Sequence, residues 1–128
     1  MSLRLLALSR YGLLGASSRV RMALYQGALA DRGIELRMSG LLDDDYLAAK
    51  YRDGRTPWPQ VLRAYARRLR DLPSLCRGAD LLWVEKELWP WAPAWLERLA
   101  LRGRPLVLDF DDAIFHLYDQ HPRPLVRR

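Results

Sequence analysis

Residues Leu3 to Arg32 constrain this chain more than any other stretch. They read as an apolar strand over Leu3–Ser9, a turn over Tyr11–Ser18 with glycines at 12 and 15, and a helix ending near Gly33. A strand, a glycine loop and a helix in that order open a parallel α/β sheet. The loop presents backbone N–H groups beside a helix N-terminus, which suits an anion. Ser17 or Ser18 is expected to cap the helix. Val20, Leu24, Gly27 and Ala28 are expected to lie on the sheet, with Gly27 allowing close approach.

The rest of the chain repeats the alternation. Ile34–Ser39 alternates as a half-exposed strand near a sheet edge. Asp43-Asp44-Asp45 opens a short helix with its acids at the positive end. Thr56-Pro57 starts a longer helix that Pro73 is expected to stop. Asp80–Glu85 is a buried strand, and Trp89–Pro93 opens a helix reaching about Leu101. Leu106–Phe110 is a fourth strand, Ala113–Tyr118 a further helix or turn, and His121–Pro124 an extended tail. The pattern predicts a three-layer, Rossmann-like α/β domain: a parallel sheet in the order 2-1-3-4 with helices on both faces. The first strand is then interior, with a topological switch point beside it, outside the carboxyl ends of the strands. Gly12–Ser18, Glu85–Glu87 and Asp109–Asp112 should converge there.

At 128 residues the chain is one domain, with half its residues apolar. A single cysteine, Cys76, excludes an internal disulfide and fits a reducing compartment. No apolar run is long enough to span a membrane. Arg10 interrupts the opening run, so it reads as a strand rather than a leader. The net charge of +6 is almost all arginine, the lysines being Lys50 and Lys86. Charge alone favours a compositional bias towards arginine; the functional alternative is attraction to phosphate groups, on a nucleotide, a membrane or nucleic acid. No nucleic-acid module accompanies it, and no nucleic-acid partner is expected.

The motifs narrow the chemistry. Gly12-x-x-Gly15 lacks both the G-x-G-x-x-G dinucleotide fingerprint and the lysine of a P-loop. A contact to a diphosphate or sugar is expected instead, since Arg19 and Arg21 stand near the helix start. Cations there oppose the helix dipole unless an anion compensates. Asp109-Phe110-Asp111-Asp112 resembles the D-x-D motif of haloacid-dehalogenase-type phosphatases, with Asp109 as nucleophile and Asp111 as acid/base. It departs from that motif in Ala113 and in its place late in the chain. Carboxylates at a strand end also suit hydrogen bonds to sugar hydroxyls. Asp109, Asp111, Asp112 and His116 do not form a spacing that demands a metal, and none is expected. The helix from Trp58 to Leu72 carries Trp58, Val61, Leu62, Tyr65, Leu69 and Leu72 on one side and Arg63, Arg67 and Arg70 on another. Such a helix most often packs on a core with its arginine face in solvent; the sharper alternative is a peripheral membrane contact, since arginine and tryptophan on one amphipathic helix suit anionic lipid.

Taken together, Tyr11–Arg21, Leu41–Tyr46, Val84–Leu88 with Pro90-Trp91, and Asp109–His116 resemble the amino-terminal domain of GT-B glycosyltransferases of the retaining type. The resemblance covers nearly the whole chain. It implies one of two Rossmann-like domains facing across a cleft, this one over residues 1–128 receiving the acceptor. The other, nucleotide-holding domain, with its glutamates spaced E-x7-E, has no counterpart here. The resemblance therefore implies a half-enzyme inactive by itself, cytoplasmic or at the inner membrane face. It implies a nucleotide-sugar donor, a glycan or lipid-linked acceptor and no tightly held cofactor. By similarity Gly12, Gly15, Ser18, Arg19, Arg21, Glu85, Lys86 and Asp112 would bind substrate, and Asp111 and His116 would act in catalysis. A phosphohydrolase using Asp109 and Asp111, or a small α/β binding module, are the alternatives. An apolar face left uncovered would favour self-association.

Overall fold

The computed structural model describes residues 1–114, 116–124, 126 and 127; Phe115 of the motif above lies outside them. Four strands form one parallel sheet in the order β2-β1-β3-β4: β1 (Leu3–Tyr11), β2 (Ile34–Leu42), β3 (Leu81–Glu85) and β4 (Leu106–Asp109). The predicted order and parallel sense are those observed. The helices are α1 (Ala16–Arg21), α2 (Gln26–Ala30), α3 (Asp44–Asp53), α4 (Trp58–Arg77), α5 (Ala94–Ala100) and α6 (His116–Asp119), with a 3₁₀ turn at Ala23–Tyr25.

Side-chain alternation along the strands makes two cores. Leu6, Leu8, Leu82 and Val84 point to the α3–α4–α5 layer, where Leu47, Val61, Leu72 and Leu101 meet them. Leu5, Ala7 and Leu36 point the other way, to Met22, with Leu29 and Trp83 packed against them. The first crossover lies on one face and the later ones on the other, as a right-handed doubly wound sheet requires.

Several local expectations change. The opening helix is not continuous: α1 ends at Arg21, the 3₁₀ turn intervenes, and α2 follows. The residue that reaches the sheet is fully buried Met22, whereas Val20 and Leu24 are exposed. A break of helical phase between 21 and 26 rotates the stripe that a regular helix would have presented. Gly27 faces open space and serves no close approach. The N-cap of α1 is Gly15, without a side-chain cap; both serines are used elsewhere, as described below. The α4 cap position is Pro57, also without a side-chain bond, so Thr56 does not cap. Pro73 lies within α4 rather than ending it. The intrahelical bond it forgoes would go to Leu69, on an exposed face where water can serve the carbonyl. Trp89–Pro93 is a turn in which Trp91 takes a φ of 69°, and α5 starts after Pro93. β1 and β2 are longer than expected, because Gly40 keeps β2 against β1 up to Leu42. Residues around 122–124 turn rather than extend. As expected, β2 is an edge strand and an apolar face is left uncovered: Val107, Leu108 and Phe110 of the β4 edge are exposed.

Candidate functional site at the carboxyl rim of the sheet

The rim is built around β1, the inner strand whose neighbours leave in opposite directions. Glu85 and Asp109 are register partners at the ends of β3 and β4, so they sit side by side on one face. α1 crosses that face with Ser17 and Arg21, one helical turn apart. The Ser17 hydroxyl donates to Glu85 Oε1, and the Arg21 guanidinium binds both oxygens of Asp109. The Arg10 backbone N–H donates to the other Glu85 oxygen at 3.2 Å, and Trp83 Nε1 donates to Asp109 at 3.3 Å. Glu85 is only 2% exposed. A carboxylate this deep is tolerable because hydrogen bonds engage both its oxygens.

Immediately after β3 the chain turns sharply. Lys86 holds a φ of 60°, and its N–H donates to the Asp109 carbonyl at 2.9 Å. A lysine in the left-handed region carries a conformational cost of order 1 kcal/mol. The turn aims its side chain back over the rim, where Nζ lies 2.9 Å from Asp111 and 3.5 Å from Asp112. Arg21 reaches Asp111 from the other side at 4.0 Å. Asp111 therefore bridges two cations brought in by different segments. Lys86 holds its carboxyl below the usual range, chiefly by hydrogen bonding. Partial burial works against the Lys86 charge, but Asp111 and Asp112 outweigh it and raise its pKa.

The glycine loop is held from behind. Gly12 donates to the Leu42 carbonyl at 3.0 Å, and Leu14 N–H donates to Asp44 Oδ1 at 3.0 Å. The anion bound to the loop in this structure is thus the chain's own Asp44. A Cβ at Gly12 would stand 2.7 Å from that carboxylate, and one at Gly40 2.9 Å from backbone atoms of Tyr11 and Gly12. These glycines are needed for packing of loop against strand. Arg19 bonds the Leu13 and Leu14 carbonyls at 3.0 and 2.9 Å, so it braces the loop. Ser18 is fully buried and donates to the Tyr11 carbonyl at 2.7 Å. The serine that reaches the rim is Ser17. Because α1 is so short, Arg21 occupies its last turn, where the helix dipole favours a cation.

The rim thus gathers Gly12, Gly15, Arg21, Glu85, Lys86, Asp111 and Asp112 of the predicted set. His116 is set in α6, where its Nδ1 lies 3.0 Å from Asp119. α6 is anchored to the turn after β3 by Tyr118, whose hydroxyl donates to Glu87 at 2.6 Å and accepts from Trp91 N–H at 3.2 Å. Among the described residues no cluster of carboxylates, histidines and thiols is arranged to hold a metal ion.

Three further residues escaped the sequence reading. Arg10 lies at the end of β1, its guanidinium 5.6 Å from the Tyr11 ring centre and its buried Nε without a hydrogen-bond partner among the described residues. Its place at the end of the central strand is the signal that could have found it. Tyr65 donates to the Pro90 carbonyl at 2.7 Å, and burial pushes its hydroxyl up to about 12. Arg68 of α4 is 3% exposed and donates to the carbonyls of Ser39 at 2.6 Å, Ser9 at 3.2 Å and Leu88 at 3.4 Å. Burial, with Arg67 nearby, lowers its pKa to about 10, so it stays charged at neutral pH. It ties the ends of β1 and β2 to the segment after β3, directly beneath the rim. In sequence it stands among the arginines of a basic helix, with nothing to single it out.

Compared with family models, with curated proteins and with solved structures, the chain matches none.

Proposed function

We propose that this rim is the acceptor side, with the glycine loop, of a nucleotide-sugar-dependent glycosyl-transfer site of the GT-B type. The observation that carries the reading is the composition of the converged rim. Arg21 and Lys86 share it with Glu85, Asp109, Asp111 and Asp112. Carboxylates outnumber cations, and Asp112 is largely exposed. Such a surface suits the hydroxyl donors of an acceptor sugar better than it suits a polyanion. A donor diphosphate would need cations from a facing nucleotide-binding domain, with Arg21 and Lys86 contributing from this side. The phosphohydrolase alternative requires Asp109 to attack. Here both its oxygens are engaged by Arg21 and Trp83, which depresses nucleophilicity.

In this reading Asp111 and Asp112 orient the acceptor hydroxyl, the glycine loop borders the donor sugar, and His116 stands on the acceptor side. The assay is sugar transfer by the chain joined to a nucleotide-binding domain carrying the E-x7-E glutamates. Asp111→Asn should lower kcat about a hundredfold or more, with the fold intact by circular dichroism. Undiminished transfer in that variant would remove Asp111 from the site. Magnesium-dependent phosphatase activity lost in Asp109→Asn would replace the reading altogether.

A further inference from the structure

The structure divides the apolar residues of α4 in a way their spacing does not. Val61, Ala64, Leu72 and Cys76 are buried against the sheet, yet Trp58, Leu62 and Leu69 remain 62%, 66% and 57% exposed. With exposed Ala66 and Pro73 they recur at three- and four-residue steps, as a second apolar stripe along the outside of the helix. Arg63, Arg67 and Arg70 line the next sector, and with Gln60 and Tyr46 they border a groove of about 600 Å³ between α3 and α4. Across its length α4 has five arginines and one carboxylate, Asp71. Some of that charge is answered locally: Arg67 lies 3.7 Å from Asp43, and Arg70 is 2.7 Å from Asp71. Arg63 donates to the Pro59 carbonyl at 3.2 Å and has no carboxylate partner among the described residues. No helix among the described residues is long and apolar enough to cross a membrane.

We infer that the outer face of α4 docks on an anionic phospholipid surface, with Trp58, Leu62 and Leu69 entering the interface and Arg63, Arg67 and Arg70 at the phosphates. Charge complementarity selects this occupant. A stripe of large apolar side chains flanked by guanidinium groups matches the depth profile of a bilayer, acyl chain below and phosphate above. Trp58 supplies an interfacial aromatic at one end. α4 starts on the side where β2 ends and returns to the start of β3, so its Trp58 end lies towards the carboxyl rim. Docking here would leave that rim near the lipid headgroups. The inference stands on α4 alone and holds whether or not the rim transfers a sugar.

Sedimentation of the 128-residue chain with vesicles tests it. Phosphatidylcholine vesicles containing phosphatidylglycerol should bind the chain, and phosphatidylcholine alone should bind it much more weakly. Binding to the anionic vesicles should weaken with added salt. Leu62→Ser with Leu69→Ser should lower the partition about tenfold or more, and Arg63→Gln about fivefold. These positions are exposed, so unchanged melting curves should accompany the losses. Val107→Lys, on the rival apolar edge at β4, should leave binding unchanged. Equal binding to neutral vesicles, no binding to either, or loss through Val107→Lys but not through the α4 changes would overturn the inference.

Discussion

Two arginines hold the carboxyl end of the sheet, by opposite means. Arg21 is partly exposed and is answered by carboxylates, Asp109 in direct contact and Asp111 at 4.0 Å. Arg68 is buried and is answered by three backbone carbonyls. The first arrangement is exchangeable at its outer end, where the Asp111 side chain is 33% exposed and water can take over its contact to Arg21. The second is not, because Arg68 is almost fully buried and its loss would leave carbonyls on three segments without their charged donor. The rim and its support are therefore held by the same side chain in different surroundings.

The largest effect that would break this contrast is at Arg68. Arg68→Met should destabilise the fold by about 3 kcal/mol, read from urea unfolding, since it leaves buried acceptors unpaired. Arg68→Lys should recover less than half of that, because one ammonium cannot serve carbonyls spread over three segments. A loss well under 1 kcal/mol would show that the strand ends do not depend on it. Next in size, Gly40→Ala should cost about 2 kcal/mol, as its Cβ would meet backbone on the glycine loop. Gly27→Ala, with open space around it, should stabilise by about 0.5 kcal/mol. If both changes cost the same, the loop is not packed as described.

At the exchangeable rim the effects should be smaller. Lys86→Met should cost about 1 kcal/mol or less, because the Asp111 partner is part-exposed. The pH dependence follows from the two shifts. Asp111 is depressed when folded, so its contribution is present above the ordinary carboxylate range and fades as pH falls through the folded value. Lys86 is raised, so its contribution is present below the ordinary lysine range and is lost as pH rises through the folded value. The pair should hold between those limits, from below pH ~4 to above ~10. Proton-detected titration of Asp111 in wild type and Lys86→Met checks this; identical midpoints would dismiss the contact. The smallest effect is expected at exposed pairs such as Arg52–Asp53, where removing either partner should shift stability by less than the scatter of unfolding curves.

Much of this architecture is legible in the sequence. Continuous apolar runs at Leu3–Ser9 and Asp80–Glu85, and alternation at Ile34–Ser39, give strands whose separation by helices enforces parallel pairing. The glycine turn, Glu85–Lys86 and Asp109–Asp112 all fall just past strand ends, and parallel strands put those ends on one side. What the pattern could not carry was helical phase. The interruption between Arg21 and Gln26 moved Met22 inward and Val20 outward, and no single residue there announces it. Nor could it divide an apolar helix face between core and solvent: Val61 and Leu62 are adjacent in sequence and opposite in fate.

The sequence by itself determined the layering, the strand order and the gathering of acidic and basic residues at one rim, because these follow from periodicity, chain length between strands and the handedness of crossovers. Tertiary structure alone decided the partners: that Ser17 rather than Ser18 reaches Glu85, that Asp44 fills the glycine loop, and that Arg68, of five arginines on one helix, goes inside. Such choices depend on angstrom-scale reach and on which groups lose water, quantities set only when the elements pack.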